Sequence, residues 1–196
     1  MERKDYLFSL AAAFLISIFA LPTLINTGFY SRLPSPILLL FVGLPIFTLA
    51  GMVVANFLGQ KLGIFWQFAK FALVGVLNTA IDFGILNLLI AITSITGGLG
   101  IIFINATSFS TALVNSYFWN RDWVFAGSKR GDLVTFIIVT IIGLSINTGI
   151  VFFLTTYVSP VLVTTQAQWA NLAKILATGI SLVWNFAGYK LIVFKK

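Results

Sequence analysis

Asn78-Thr79-Ala80-Ile81-Asp82-Phe83 decides how this chain is read, because Asn147-Thr148-Gly149-Ile150-Val151-Phe152 repeats its Asn, Thr, Ile and Phe 69 residues later. The register holds without a gap. Leu113-Val114 returns as Leu182-Val183, and Arg121-x-x-Val124-Phe125 returns as Lys190-x-x-Val193-Phe194. In so biased a composition single matches carry little weight, but a shared offset carries more. Repeats within apolar sequence are how many membrane transporters place a site between two halves.

Working outward, the whole chain is 59% hydrophobic and 9% charged, with a mean hydropathy of +1.04. A soluble domain of this size has no way to hide so much apolar surface, so lipid must be the solvent for much of it. The net charge of +7 does not point to nucleic acid, since the basic residues sit mostly at the ends of apolar runs. Cysteine and histidine are both absent, which excludes disulfides, Cys/His metal sites, imidazole bases and thiolate nucleophiles. No phosphate-loop motif, metal-ligand cluster or pair of intramembrane carboxylates appears either. The expectation is a membrane protein that is not an enzyme and needs no cofactor.

Six segments meet the roughly 20-residue length of a bilayer crossing, near 6–26, 36–57, 70–93, 101–120, 133–158 and 170–190. The fold class expected is all-α: a polytopic membrane bundle of six helices, the last four forming a parallel two-helix repeat. Residues 1–60 read as an N-terminal helix pair and 61–196 as a four-helix membrane domain, with repeat copies at about 68–127 and 137–196. The mixed-charge head Glu2-Arg3-Lys4-Asp5, without a good small-residue cleavage site near Pro22 or Asn26, favours a retained anchor over a signal peptide. Residues 58–68 mix Gln60, Lys61 and Gln67 with Ile64, Phe65 and Trp66, which suits a short interfacial helix or an ordinary connecting loop. Basic residues collect on one side: Arg3, Lys4, Lys61, Lys70, Arg121, Lys129, Arg130, Lys190, Lys195 and Lys196, against Arg32 alone in the opposite loops. That bias predicts a multi-pass protein of the cell membrane with both termini in the cytoplasm.

A charged side chain near the centre of a membrane helix costs roughly 2.5–3.5 kcal/mol, so those retained are informative. Asp82 is the one acid well inside an expected span; it lies four residues after Asn78, on the same helical face. Two roles fit it: a group on a substrate path, or half of an ion pair that locks helices together. The last helix carries Lys174, Thr178, Ser181 and Asn185, and the fourth carries Asn105, Ser108, Ala112 and Asn115, each set along one face. Under the repeat offset Asn105 corresponds to Lys174 and Ser116 to Asn185. Such stripes line a hydrophilic groove or let helices pack closely. Packing accounts for Thr178, Ser181, Ser108 and Ala112, but it does not call for the ammonium of Lys174. Asn120-Arg121 and Tyr189-Lys190 each precede an aliphatic-aromatic clamp, Trp123-Val124-Phe125 or Ile192-Val193-Phe194. A cation at that level binds phosphate or fixes helix depth.

Taken together, Val74-Gly75-x-x-Asn78-Thr79-x-x-Asp82, Asn120-Arg121-x-Trp123-Val124-Phe125 and the closing Ala173-Lys174, Asn185-Phe186 and Val193-Phe194 resemble the GtrA-like family of small four-helix membrane proteins. The resemblance spans about residues 66–196, roughly two thirds of the chain. It implies a role in cell-surface polysaccharide or glycolipid synthesis: flipping a polyprenyl-phosphate-linked monosaccharide between leaflets, beside a membrane glycosyltransferase that makes that lipid. The chain departs from the family in its extra N-terminal pair and in Tyr189-Lys190, where the family often has arginine. On this reading Arg121 or Lys190 meets the lipid phosphate, Asn78, Asp82, Asn115, Lys174 and Asn185 meet the sugar, and Asn120 beside Arg121 joins the substrate-binding set, while the polyprenyl tail stays among membrane lipid. Helices enclosing so little space leave room for a homo-oligomer. Two other classes stay open: a non-transporting scaffold for the glycosyltransferase, and a small-molecule or ion transporter.

Overall fold

In hydrocarbon every backbone N–H and C=O must be satisfied within the protein, and long apolar runs do this by forming helices. The computed structural model, which describes residues 1–60, 63–124, 126 and 133–188, follows that rule. Six long helices account for it: α1 (Arg3–Thr27), α2 (Pro36–Gly59), α3 (Gly63–Thr93), α4 (Gly98–Val124), α5 (Leu133–Tyr157) and α6 (Gln166–Gly188). No strand occurs among the described residues. The chain is an all-α, polytopic membrane protein.

Among the described residues, five helices are long and apolar enough to cross a membrane: α1, α2, α3 from Phe65, α4, and α5 from Ile137. The sixth, α6, has 23 residues, about 35 Å at 1.5 Å per residue. Its length suffices, but Asn171, Lys174, Thr178 and Ser181 lower its apolarity. Residues 63–68 are not a separate interfacial helix. α2 runs to Gly59 and α3 starts at Gly63, so Phe65, Trp66 and Gln67 belong to the span itself. The reason is local: Ile64 to Lys70 contains no proline or glycine to break a helix.

The chain divides into two compact units, Met1–Ile85 with Thr111–Gly127, and Leu86–Ser110 with Ser128–Lys196. In the first, α1 ends at Gly28, whose φ of 78° lets its N–H reach the Ile25 carbonyl at 3.1 Å. α2 contains a π-helical turn, Leu39–Gly43, and the Ser17 hydroxyl of α1 reaches the Leu40 carbonyl in that turn. Ala12 and Ile16 pack against Leu77, Ile81 and Ala112. A Cβ on Gly84 would stand 2.3 Å from the Phe19 carbonyl oxygen, so glycine is what admits this closeness of α1 and α3. In the second unit, Leu86, Ile90, Ile101, Ile104, Val151, Ala170 and Ala177 form one buried cluster. Trp169 Nε1 ties α6 to α5 by donating to the Leu154 carbonyl at 2.9 Å.

Candidate functional site

Each unit holds its own polar centre, half-buried in the first and buried in the second. In the first, α3 and α4 meet through an amide pair: Asn115 Nδ2 donates to Asn78 Oδ1 at 2.7 Å. Asp82, one turn along α3 from Asn78, is buried. Further along α4, Asn120 Nδ2 donates to the Ser116 carbonyl at 2.8 Å. Its Oδ1 is buried without a hydrogen-bond partner among the described residues. Asn120 opens the π-helical turn Asn120–Val124, which also carries Arg121.

The second unit is organised around Lys174. Its side chain is 0% exposed, and its Nζ donates to Asn105 Oδ1 at 2.5 Å. Ser108 Oγ and Asn147 Oδ1 lie farther out, each at 3.4 Å. The shell is itself bonded: Asn105 Nδ2 donates to Asn147 Oδ1 at 2.9 Å and to Thr148 Oγ1 at 3.0 Å. Asn147 Nδ2 reaches Ser181 Oγ at 3.4 Å, and the Phe109 ring lies 5.9 Å from the ammonium. Carbonyl and hydroxyl oxygens turned toward a cation replace part of the water it gave up. One helical turn from Lys174, Thr178 Oγ1 is buried with no hydrogen-bond partner among the described residues. On its other side Asn171 and Asn87 close a reciprocal amide pair, with Nδ2-to-Oδ1 distances of 2.6 and 2.7 Å.

Among the residues expected from sequence, Asn78 and Asn115 are brought together, and Lys174 sits at the centre of a polar cluster. Asn185 lies within α6 and Arg121 within the turn that ends α4. Lys190 lies outside the described residues. Sequence reasoning named Asn147 and Thr148 as the repeat counterparts of Asn78 and Thr79 but did not place them in the site. It also missed Asn87 and Asn171, and an ion pair at the start of α1: Lys70 Nζ stands 2.7 Å from Asp5 Oδ1. Trp123 Nε1 donates to the same Asp5 oxygen at 2.9 Å.

Apolar helices that keep amides, a carboxylate and an ammonium buried define a helical membrane protein with polar side chains held inside its bundle. Residues 70–194 match the profile of the GtrA/DPMS transmembrane domain, and the chain belongs to that family, which is linked to polyprenyl-phosphate sugar processes. It is also similar to "Uncharacterized membrane protein YngA" of Bacillus subtilis (strain 168), at 30% identity over 128 residues, 64% of this chain and 77% of the relative. No solved structure gives a significant match.

Proposed function

We propose that this protein flips a polyprenyl-phosphate-linked monosaccharide across the cell membrane, feeding synthesis of a surface polysaccharide or glycolipid. The buried ammonium of Lys174 in its shell of amides and hydroxyls is the observation that carries the reading. A sugar needs partners of this kind if its hydroxyls are to leave water, because each unmet hydroxyl in hydrocarbon costs several kcal/mol, roughly 2–7. Asn78, Asp82 and Asn115 offer such partners in the first unit, and Lys174 and Asn185 in the second. With both termini cytoplasmic, Arg121, Asn120 and Lys190 receive the phosphate at the inner face, where arginine grips two oxygens at once. The polyprenyl chain never leaves lipid, and no covalent bond is made or broken. A membrane glycosyltransferase supplies the lipid-linked sugar.

The test is leaflet transfer in proteoliposomes containing this protein alone and a labelled polyprenyl-phosphate monosaccharide. Label should become accessible to an impermeant reagent faster than in protein-free vesicles. Transfer only when a glycosyltransferase is present would make the chain a scaffold. Equal rates with and without the protein would end the proposal.

A further inference from the structure

The first turn of α1 lies outside the family-matched residues 70–194, yet it is bonded to the turn that carries Arg121. We infer that Lys4 and Asp5 belong to the site that receives the lipid phosphate, Lys4 as a second cation and Asp5 as a positioning residue. The inference rests on the flipping role proposed above.

The C-terminal end of a helix is a poor place for an anion. Its last carbonyls lack intrahelical partners, and the helix dipole leaves partial negative charge there. α4 ends in this way at Asn120–Val124, and the turn adds an acid of its own, Asp122. A phosphate approaching Arg121 would meet these oxygens unless they were covered. Two of them are: Lys4 Nζ donates to the Asp122 carbonyl at 2.6 Å, and Gln67 Nε2 to the Val124 carbonyl at 3.3 Å. Lys4 also brings an ammonium to the residue that holds the turn's carboxylate. Only one of its three N–H groups is needed for the carbonyl.

Asp5 holds this arrangement in place. Its Oδ1 accepts from Trp123 Nε1 at 2.9 Å and pairs with Lys70 at 2.7 Å, while Oδ2 accepts the Glu2 backbone N–H at 3.0 Å. The Phe8 ring stacks on Trp123 with centroids 5.3 Å apart. The Lys70 ammonium, 4.9 Å from the Trp66 ring and 5.6 Å from the Trp123 ring, is thereby committed to Asp5. Of the two exposed cations in the first turn of α1, Arg3 and Lys4, it is Lys4 that is bonded to the turn carrying Arg121. Trp123 is two residues from Arg121, so fixing its indole and the Asp122 carbonyl restricts the backbone that presents the guanidinium.

The full chain in nanodiscs of zwitterionic lipid, titrated with polyprenyl phosphate and with uncharged polyprenol, tests this. Lys4→Met removes one cation near the headgroups, for which about fivefold in affinity is expected. Asp5→Asn should lower phosphate-lipid affinity by a similar factor and shift tryptophan emission, because Trp123 loses a charged acceptor. Neither substitution should change polyprenol binding. Equal losses for phosphate and alcohol would mean a loosened fold and overturn the inference, as would unchanged phosphate affinity in both variants. An equal loss for phosphatidylglycerol would overturn the assignment to the polyprenyl lipid. A wild-type chain that binds polyprenol as tightly as polyprenyl phosphate would refute the phosphate reading itself, which separates that failure from failure of the α1 contribution.

Discussion

Removing Asn105 should hurt this protein mainly through Lys174, and a double-mutant cycle measures that coupling. An interhelical hydrogen bond inside a membrane contributes about 0.6 kcal/mol on average, and an ionised donor roughly doubles such a bond. The 2.5 Å contact from Lys174 to Asn105 is therefore given about 1–2 kcal/mol. The 3.4 Å approaches to Ser108 and Asn147 add little. Asn105→Leu removes the short contact and leaves a buried charge less well solvated, so a loss of about 2 kcal/mol is expected, somewhat below the roughly 2.5–3.5 kcal/mol cost of a charge at a helix centre. Lys174→Met keeps an unbranched side chain, one heavy atom shorter, and removes the charge, and exchanging a buried ion for an apolar group is often neutral or stabilising. Asn105→Leu in the Lys174→Met background should then cost about 1 kcal/mol less than in the wild type. Reversible unfolding in mixed micelles, followed by tryptophan fluorescence, gives all four corners. A cycle that closes to within about 0.5 kcal/mol would show the two residues to be independent and refute the reasoning.

Gly84→Ala should destabilise the protein by about 2–3 kcal/mol, read as a lower midpoint in the same unfolding assay, because the new Cβ meets the Phe19 backbone at 2.3 Å. Asn115→Leu should cost about 1 kcal/mol through the stranded Asn78 carbonyl and slow sugar-lipid transfer at temperatures where the fold is intact. Asp82→Ala should reduce transfer more than it reduces thermal stability; aggregation of that variant, with Asp82→Asn restoring fold and transfer alike, would make Asp82 a structural lock. For orientation, an impermeant thiol reagent applied from outside should label Val161→Cys and spare Gln60→Cys; the reverse pattern would invert the topology.

Much of the architecture was legible because helix formation in lipid is dictated by apolar length, which a linear sequence displays directly. The polar stripe of α6 was legible for a related reason: helical spacing alone places Lys174, Thr178 and Ser181 on one face. The ammonium's partners were half legible. The 69-residue register paired Lys174 with Asn105 as equivalents, but equivalence does not say that two residues touch. Asn87 and Asn171, 84 residues apart, share no register and no motif, and nothing short of tertiary structure joins them. Asp5 read as one charge in a mixed head. Its bond to Trp123 spans 118 positions, a separation at which composition and periodicity carry no information.

The contact between Lys174 and Asn105 has a consequence for how such a protein can be assembled. The two positions are 69 residues apart and equivalent in the repeat. Were one copy to pair with an identical copy through a two-fold axis at this point, each residue would face its own twin. Two asparagines tolerate that, since an amide is both donor and acceptor. Two ammonium groups at such a distance in a low-dielectric interior would repel strongly. Carrying both copies on one polypeptide removes the constraint: one half keeps the amide, the other gains the charge, and the two complement each other. Covalent fusion thus lets an amide and an ammonium stand at equivalent repeat positions and bond to each other, something two identical subunits related by that axis could not share.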